Sequence, residues 1–194
     1  MSIFHAGLCA IPLSTGSTQA EIEYFLDDSQ ASLVMCSPKY AELVRGIPSA
    51  PNVLELTHDD LEANVSSGSA TAGGNDNMNE DALVVYTSGT TGKPKGVVHT
   101  HSSFQAQIQS LSDAWEWSSN DRILNVLPLH HVHGIVNVLN CSLWNGATCD
   151  MLPGKFDAGK TWRALLRSED PFTIFMAVPT VYNNLARYFK DGKL

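Results

Sequence analysis

The apolar run from Asp81 to Tyr86 passes without a break into TSGTTGKPKG, and a glycine- and lysine-rich loop hung on a buried strand leaves few folds open to a chain. A continuous apolar run of this length reads as a strand covered on both faces. At the C-terminal end of such a strand an α/β fold places its ligands. Gly89, Gly92 and Gly96 permit tight turns that let backbone N–H groups face an anion. Thr87, Ser88, Thr90 and Thr91 add hydroxyl donors, and Lys93 and Lys95 add positive charge. Such a loop suits a polyphosphate. It is not the GxxxxGK[ST] loop, because the Gly89–Gly92 interval is too short and Lys93 is followed by Pro94, not by a Ser or Thr that could hold magnesium. A solvated turn without a ligand is the plain alternative. The combined glycines, hydroxyls and lysines speak against it.

Around the loop, strand and helix patterns alternate. Leu8–Leu13 reads as a short strand halted by Pro12, and Thr18 with Glu21 forms a capping box for a helix with Ile22, Phe25 and Leu26 on one face. Ser32–Cys36 and Asn52–Leu56 read as strands, with a helix opened by Pro38 between them. Residues 63–79 lack any apolar period and read as a flexible spacer that does not mark a domain boundary. Beyond it come Gly96–Val98, a helix with Phe104, Ile108, Leu111 and Trp115 on its apolar face, and an Arg122–Leu127 strand. A Gly134–Trp144 helix and an Ala147–Leu152 strand follow. Asp157 then caps a helix carrying Trp162, Leu165 and Leu166, a Phe172–Val178 strand comes next, and Pro179 opens a helix with Tyr182, Leu185, Ala186 and Phe189. The order predicts an α/β fold around a largely parallel sheet. Trp115 and Trp117 read as core and cap residues, and His99 and His101 as structural residues flanking a helix start.

Composition narrows the function. Hydrophobic residues make up 43% of the 194, enough for a core, and the formal net charge is −8. No basic stripe is present, so nucleic acid is not an expected partner. No stretch reaches the ~18 apolar residues a membrane span needs, and the opening MSIFHAGLCAIPL has no basic n-region of a signal peptide. Cys9, Cys36, Cys141 and Cys149 form no CxxC pair and read as reduced thiols in a buried core.

A second segment, LPLHHVHGI from Leu127 to Ile135, holds three histidines. His130 and His131 are adjacent and cannot both reach one ion from an extended segment. His131 and His133 could, but no Cys or carboxylate accompanies them nearby. A metal site, structural packing at a strand end and a substrate pocket therefore stay open as readings, and no metal ligand is assigned.

YTSGTTGKPKGV resembles the phosphate-binding signature of the adenylate-forming (AMP-binding, acyl-CoA synthetase) superfamily, without a gap. The resemblance implies that residues 87–96 embrace the β,γ-phosphates of ATP while a carboxylate attacks the α-phosphate. It further implies ATP, Mg2+ and coenzyme A as cofactors, with an acyl-adenylate and then a thioester as products. LPLHHVHGI resembles the family's second signature, which implies that His131 is a catalytic-site residue at the junction of ATP and the acyl group. LPLHHVHGIVN, CSLWNGATC, FMAVPTVYNNL and EYFLDDSQASLV are similar to the members of the family that activate malonate. By that likeness His133, Val178, Pro179 and Thr180 line the acyl pocket beside His131, malonate is the expected substrate, and the setting is cytosol or mitochondrial matrix. Another short dicarboxylate or a fatty acid is the alternative substrate.

The family pattern runs on past Leu194 and begins before Met1. Residues 1–194 are therefore expected to be a partial N-terminal adenylation domain, without the family's magnesium-binding acid, ribose-binding Asp, C-terminal domain and catalytic Lys, and inactive alone. A truncated, non-catalytic binding chain is the reading from the other class.

Overall fold

Thr18 and Glu21 close the capping box that their spacing predicts: Thr18 Oγ1 accepts from the Glu21 N–H at 3.3 Å, and Glu21 Oε2 accepts from the Thr18 N–H at 2.7 Å. The Thr18 backbone bond, then its hydroxyl, hold the Glu21 carboxyl below its ordinary range. The computed structural model describes residues 2–60, 77–88, 92–152 and 154–193. They belong to two units, Met1–Gly7 with Leu13–Asn75 and Leu8–Pro12 with Asp76–Leu194. The division falls inside the 63–79 spacer, of which 63–76 lie outside the described residues.

The first unit holds α1 (Ser2–His5), α2 (Gln19–Ser29), β1 (Leu33–Cys36), α3 (Pro38–Arg45) and β2 (Asn52–Glu55). β1 and β2 pair in parallel, Leu33 opposite Asn52 and Cys36 opposite Glu55. Ile22, Phe25 and Leu26 of α2 are buried as the periodicity predicts. Ile22 and Leu26 meet Ile47, with Leu13, Val34 and Leu43 packed around them. Pro38 opens α3 at its first turn, where its missing N–H costs nothing.

The second unit begins with β3 (Asp81–Thr87) and β4 (Lys95–Thr100), followed by α4 (His101–Ala114) and β5 (Arg122–Asn125). A π-helical stretch (His133–Asn140) runs into α5 (Cys141–Trp144), and β6 (Thr148–Met151), α6 (Ala158–Leu165) and α7 (Pro179–Lys190) complete it. β5 and β6 are parallel, and Ile123 also bridges Ile174 in parallel. Its core holds Leu83, Val85, Ile123, Leu124, Val136 and Val138, all essentially sealed from solvent. Each such aliphatic contributes about 1.5–3 kcal/mol on burial. Thr100 caps α4 through the Ser103 N–H, between His99 and His101, so these two histidines do flank a helix start. Asp157 caps α6, accepting from the Lys160 N–H at 2.7 Å.

Several elements differ from the sequence expectation. Leu8–Leu13 forms a single parallel bridge at Ala10 with Leu83, the Ala10 N–H reaching the Ala82 carbonyl at 2.8 Å; Pro12 has no N–H with which to extend it. Residues 172–178 likewise make one bridge, at Ile174, before Pro179 turns the chain into α7. The expected Gly134–Trp144 helix is wound as a π-helix through Asn140, where Asn140 Nδ2 donates to the Ile135 carbonyl at 2.6 Å and holds the widened turn. The buried stripe of α7 is Val181 and Leu185, while Tyr182, Ala186 and Phe189 face outward. In α6 the buried residues are Gly159 and Thr161, and Leu166 stands exposed at the C-cap. Trp117 is core, and Trp115 is the exposed C-cap of α4. Of the thiols only Cys141 is fully buried, and burial pushes it up to about 11; burial also raises the half-buried Cys9, Cys36 and Cys149.

An ion cluster ties β5 and β6 to the turn after α6. Arg122 binds Asp150 with Nε at 3.2 Å and Nη2 at 3.1 Å, and Arg167 Nη2 binds the same carboxylate at 3.0 Å. The cluster is partly buried, so its worth lies between surface and interior pairs. Asp150→Ala leaves two guanidinium groups facing one another, and is expected to lower stability by about 1–3 kcal/mol in urea unfolding. An unchanged midpoint would mean that water already screens the cluster.

Candidate active site

The phosphate-loop candidate is the connection of an antiparallel hairpin. Thr87 stands opposite Lys95 and Tyr86 opposite Gly96, so backbone pairing clamps both ends of the loop. Ala82, Leu83 and Val85 bury β3 and give the loop a rigid base. Gly96 lies against its neighbours: a Cβ there would sit 3.0 Å from Val84 Cγ1 and 3.4 Å from the Tyr86 ring. Gly92 has φ +99, a conformation L side chains avoid. Ser88, Lys93 and Lys95 are exposed, Pro94 is half-buried, and Thr87 Oγ1 donates a long 3.5 Å bond to the Lys95 carbonyl. Gly89, Thr90 and Thr91 lie outside the described residues.

The histidine segment leaves the end of β5. Asn125 Oδ1 accepts from the Leu127 N–H at 2.9 Å, and the chain turns so that the Gly134 and Ile135 N–H groups both reach the His131 carbonyl at 3.0 Å. His131 is exposed, and its ring lies 4.3 Å from that of half-buried His130. Burial, and then the neighbouring His131, push the His130 imidazole below its ordinary range. His133 opens the π-helix and lines a groove of about 450 Å³ together with Trp115, Asn137, Tyr182 and residues 175–177. Tyr182 closes one wall: its ring packs edge-on to Phe175 at 5.8 Å, and its hydroxyl donates to the Phe175 carbonyl at 3.3 Å.

Of the residues expected around an acyl pocket, the groove gathers His133 alone. Val178 caps α7, Pro179 and Thr180 form its first turn, and all three are exposed just after the groove-lining 175–177 stretch. His131 is not part of the lining. Sequence reading passed over Trp115, Asn137 and Tyr182 as groove residues. Asn137 had a usable signal, since it follows His133 by one helical turn. A second groove of about 430 Å³, in the first unit beside Arg45 and Pro48, contains none of the candidate residues. Among the described residues no group of three or more His, Cys, Asp or Glu could hold a metal ion. Nor is any helix among them long and apolar enough to cross a membrane.

The chain that carries this glycine–lysine loop on a hairpin of an α/β unit belongs to the AMP-binding enzyme family, which it matches over residues 1–193. Malonate–CoA ligase ACSF3, mitochondrial, from Mus musculus is 44% identical over 191 residues, and its Homo sapiens counterpart is 41% identical. Both alignments cover 95% of this chain and 32% of the relative. The malonate–CoA ligase of Arabidopsis thaliana is 34% identical, with 98% and 34% covered. Among solved structures, ATP-bound MatB from Rhodopseudomonas palustris superposes with a TM-score of 0.81 at 28% identity, covering 95% of this chain and 37% of that one. A malonyl-CoA ligase product complex with methylmalonyl-CoA and AMP gives 0.77 at 31%, covering 98% and 38%. The chain thus spans about a third of the length of the curated relatives it matches.

Proposed function

We propose that this chain supplies the phosphate loop and part of the acyl pocket of a ligase that converts malonate, ATP and coenzyme A into malonyl-CoA. One carboxylate oxygen of malonate attacks the α-phosphorus of ATP and pyrophosphate leaves, giving malonyl-adenylate. The coenzyme A thiol then attacks the acyl carbon, AMP departs, and the thiol proton passes to solvent. Residues 87–96 hold the β,γ-phosphates through backbone N–H groups, hydroxyls and the Lys93 and Lys95 ammonium groups. Negative charge accumulates on the leaving pyrophosphate, so groups fixed around it favour the transition state over the bound substrate. His131 stands at the meeting of ATP and acyl group, His133 receives the malonyl end, and Val178, Pro179 and Thr180 border the same pocket. The mitochondrial matrix is the proposed setting, following the mitochondrial mammalian relatives.

The likeness to malonate–CoA ligases over nearly the whole chain, phosphate loop included, supports this reading most strongly. Malonate-dependent ATP–pyrophosphate exchange by the protein purified from its source, without coenzyme A, tests the adenylation step alone. Exchange that malonate does not stimulate would refute it. In the same protein His133→Ala is expected to raise KM for malonate by about tenfold, as befits loss of one hydrogen bond to a charged group, with KM for ATP little changed. Equal rises in both would remove His133 from the acyl pocket.

A further inference from the structure

Asn137 occupies the same groove as His133, on the π-helical stretch, and its Oδ1 is sealed from solvent with no hydrogen-bond partner. Buried amide groups are ordinarily paired, because water is no longer there to satisfy them. Asn140, on the same stretch, obeys that rule, its Nδ2 donating to the Ile135 carbonyl at 2.6 Å, and so does Asn145 just after α5, its Nδ2 donating to the Cys141 carbonyl at 2.7 Å. Asn137 does not, and of the described side chains with a sealed, unpartnered polar atom it is the one that lines the groove.

We infer that Asn137 is the specificity-determining residue that receives the second, non-reacting carboxylate of a short dicarboxylate. The inference rests on the proposed ligase reading and deepens it. With Oδ1 turned inward and sealed, the Nδ2 end of the carboxamide is the one left open on the groove side, and it offers its N–H2 group as a donor without turning. A carboxylate oxygen accepts from that group, and His133, four residues earlier on the same stretch, offers a ring N–H beside it. Trp115, Phe175 and Met176 keep the contact apolar around its edge, which strengthens a hydrogen bond to a charged acceptor. A monocarboxylate brings a methyl group to this place and leaves the amide unpaired. Sites of this kind discriminate strongly against the substrate that lacks the bonding group.

The test compares Asn137→Leu and Asn137→Asp in the protein purified from its source organism, with malonate, succinate and butyrate as substrates. Asn137→Leu is expected to lower kcat/KM for malonate by about 10–100-fold and to raise that for butyrate, with KM for ATP unchanged. Asn137→Asp is expected to reject malonate at least as strongly, through repulsion between carboxylates. Leu removes an unpaired buried oxygen, so its melting temperature is expected to hold or rise; a purely structural amide would lower it. Malonate turnover in the wild type with malonate-to-butyrate ratios unchanged in both variants would overturn the inference and leave the ligase reading intact. A wild type that uses butyrate and neither dicarboxylate would overturn both.

Discussion

Replacing Lys93 and Lys95 together by Ala is expected to lower kcat/KM for ATP by about 10²–10³, the loss that follows removal of a fixed donor from a developing anion. The hairpin itself should persist. The hairpin is held by backbone pairing from Asp81–Thr100 to Thr87–Lys95 and by the buried Ala82, Leu83 and Val85, none of which needs a lysine side chain. These two ammonium groups are the only cations in the loop, in a chain whose formal net charge is −8. The rest of this chain, acidic on balance, does not make up for their charge if they are removed. Steady-state kinetics with varied ATP, beside a thermal melt, checks both halves. A loss below threefold would take the phosphates away from this loop. A large fall in melting temperature would assign the lysines to the fold instead.

Gly134→Ala carries the largest expected structural effect. A Cβ at this position would lie 2.3 Å from the Pro128 carbonyl oxygen, 2.9 Å from its carbon and 3.2 Å from the Leu127 oxygen. All three are backbone atoms, so no rotamer change can make room. The turn that carries His130 and His131 must move away from the π-helix, and overpacking of this kind costs about 1–3 kcal/mol. The same movement displaces His131 and His133, so activity should fall further than stability does. Urea unfolding with kinetics on the surviving folded protein separates the two. A variant as stable and as active as the parent would show that the close approach of Gly134 to Pro128 is not needed.

Much of this was legible in the sequence because local chemistry decided it. The Thr18–Glu21 capping box, Pro38 and Pro179 at helix starts, Asp157 as a cap and the apolar β3 all fell where their residue types put them. What was not legible depends on partners distant in the chain. Residues 8–13 and 172–178 have strand-like composition, but each finds only one ladder partner beside a proline that ends the run. An apolar period cannot tell an α-helix from the π-helix at 133–140, whose width depends on the Asn140 side chain reaching Ile135. Trp115 and Tyr182 read as core because their spacing matched a helical face. One ends its helix and the other rotates outward, which leaves both for the groove. Asn137 drew no notice because a single asparagine in an apolar helix is a weak cue, even one helical turn after His133. Its unpaired oxygen is visible only in three dimensions.

The measurement that bears most directly on the central claim is product formation by the protein purified from its source, given ATP, coenzyme A and one carboxylic acid at a time. Malonate should yield malonyl-CoA with AMP and pyrophosphate in equal amounts, at a kcat/KM well above those for acetate and for a long-chain fatty acid. Absence of malonate-dependent AMP, or a clear preference for the fatty acid, would contradict the account.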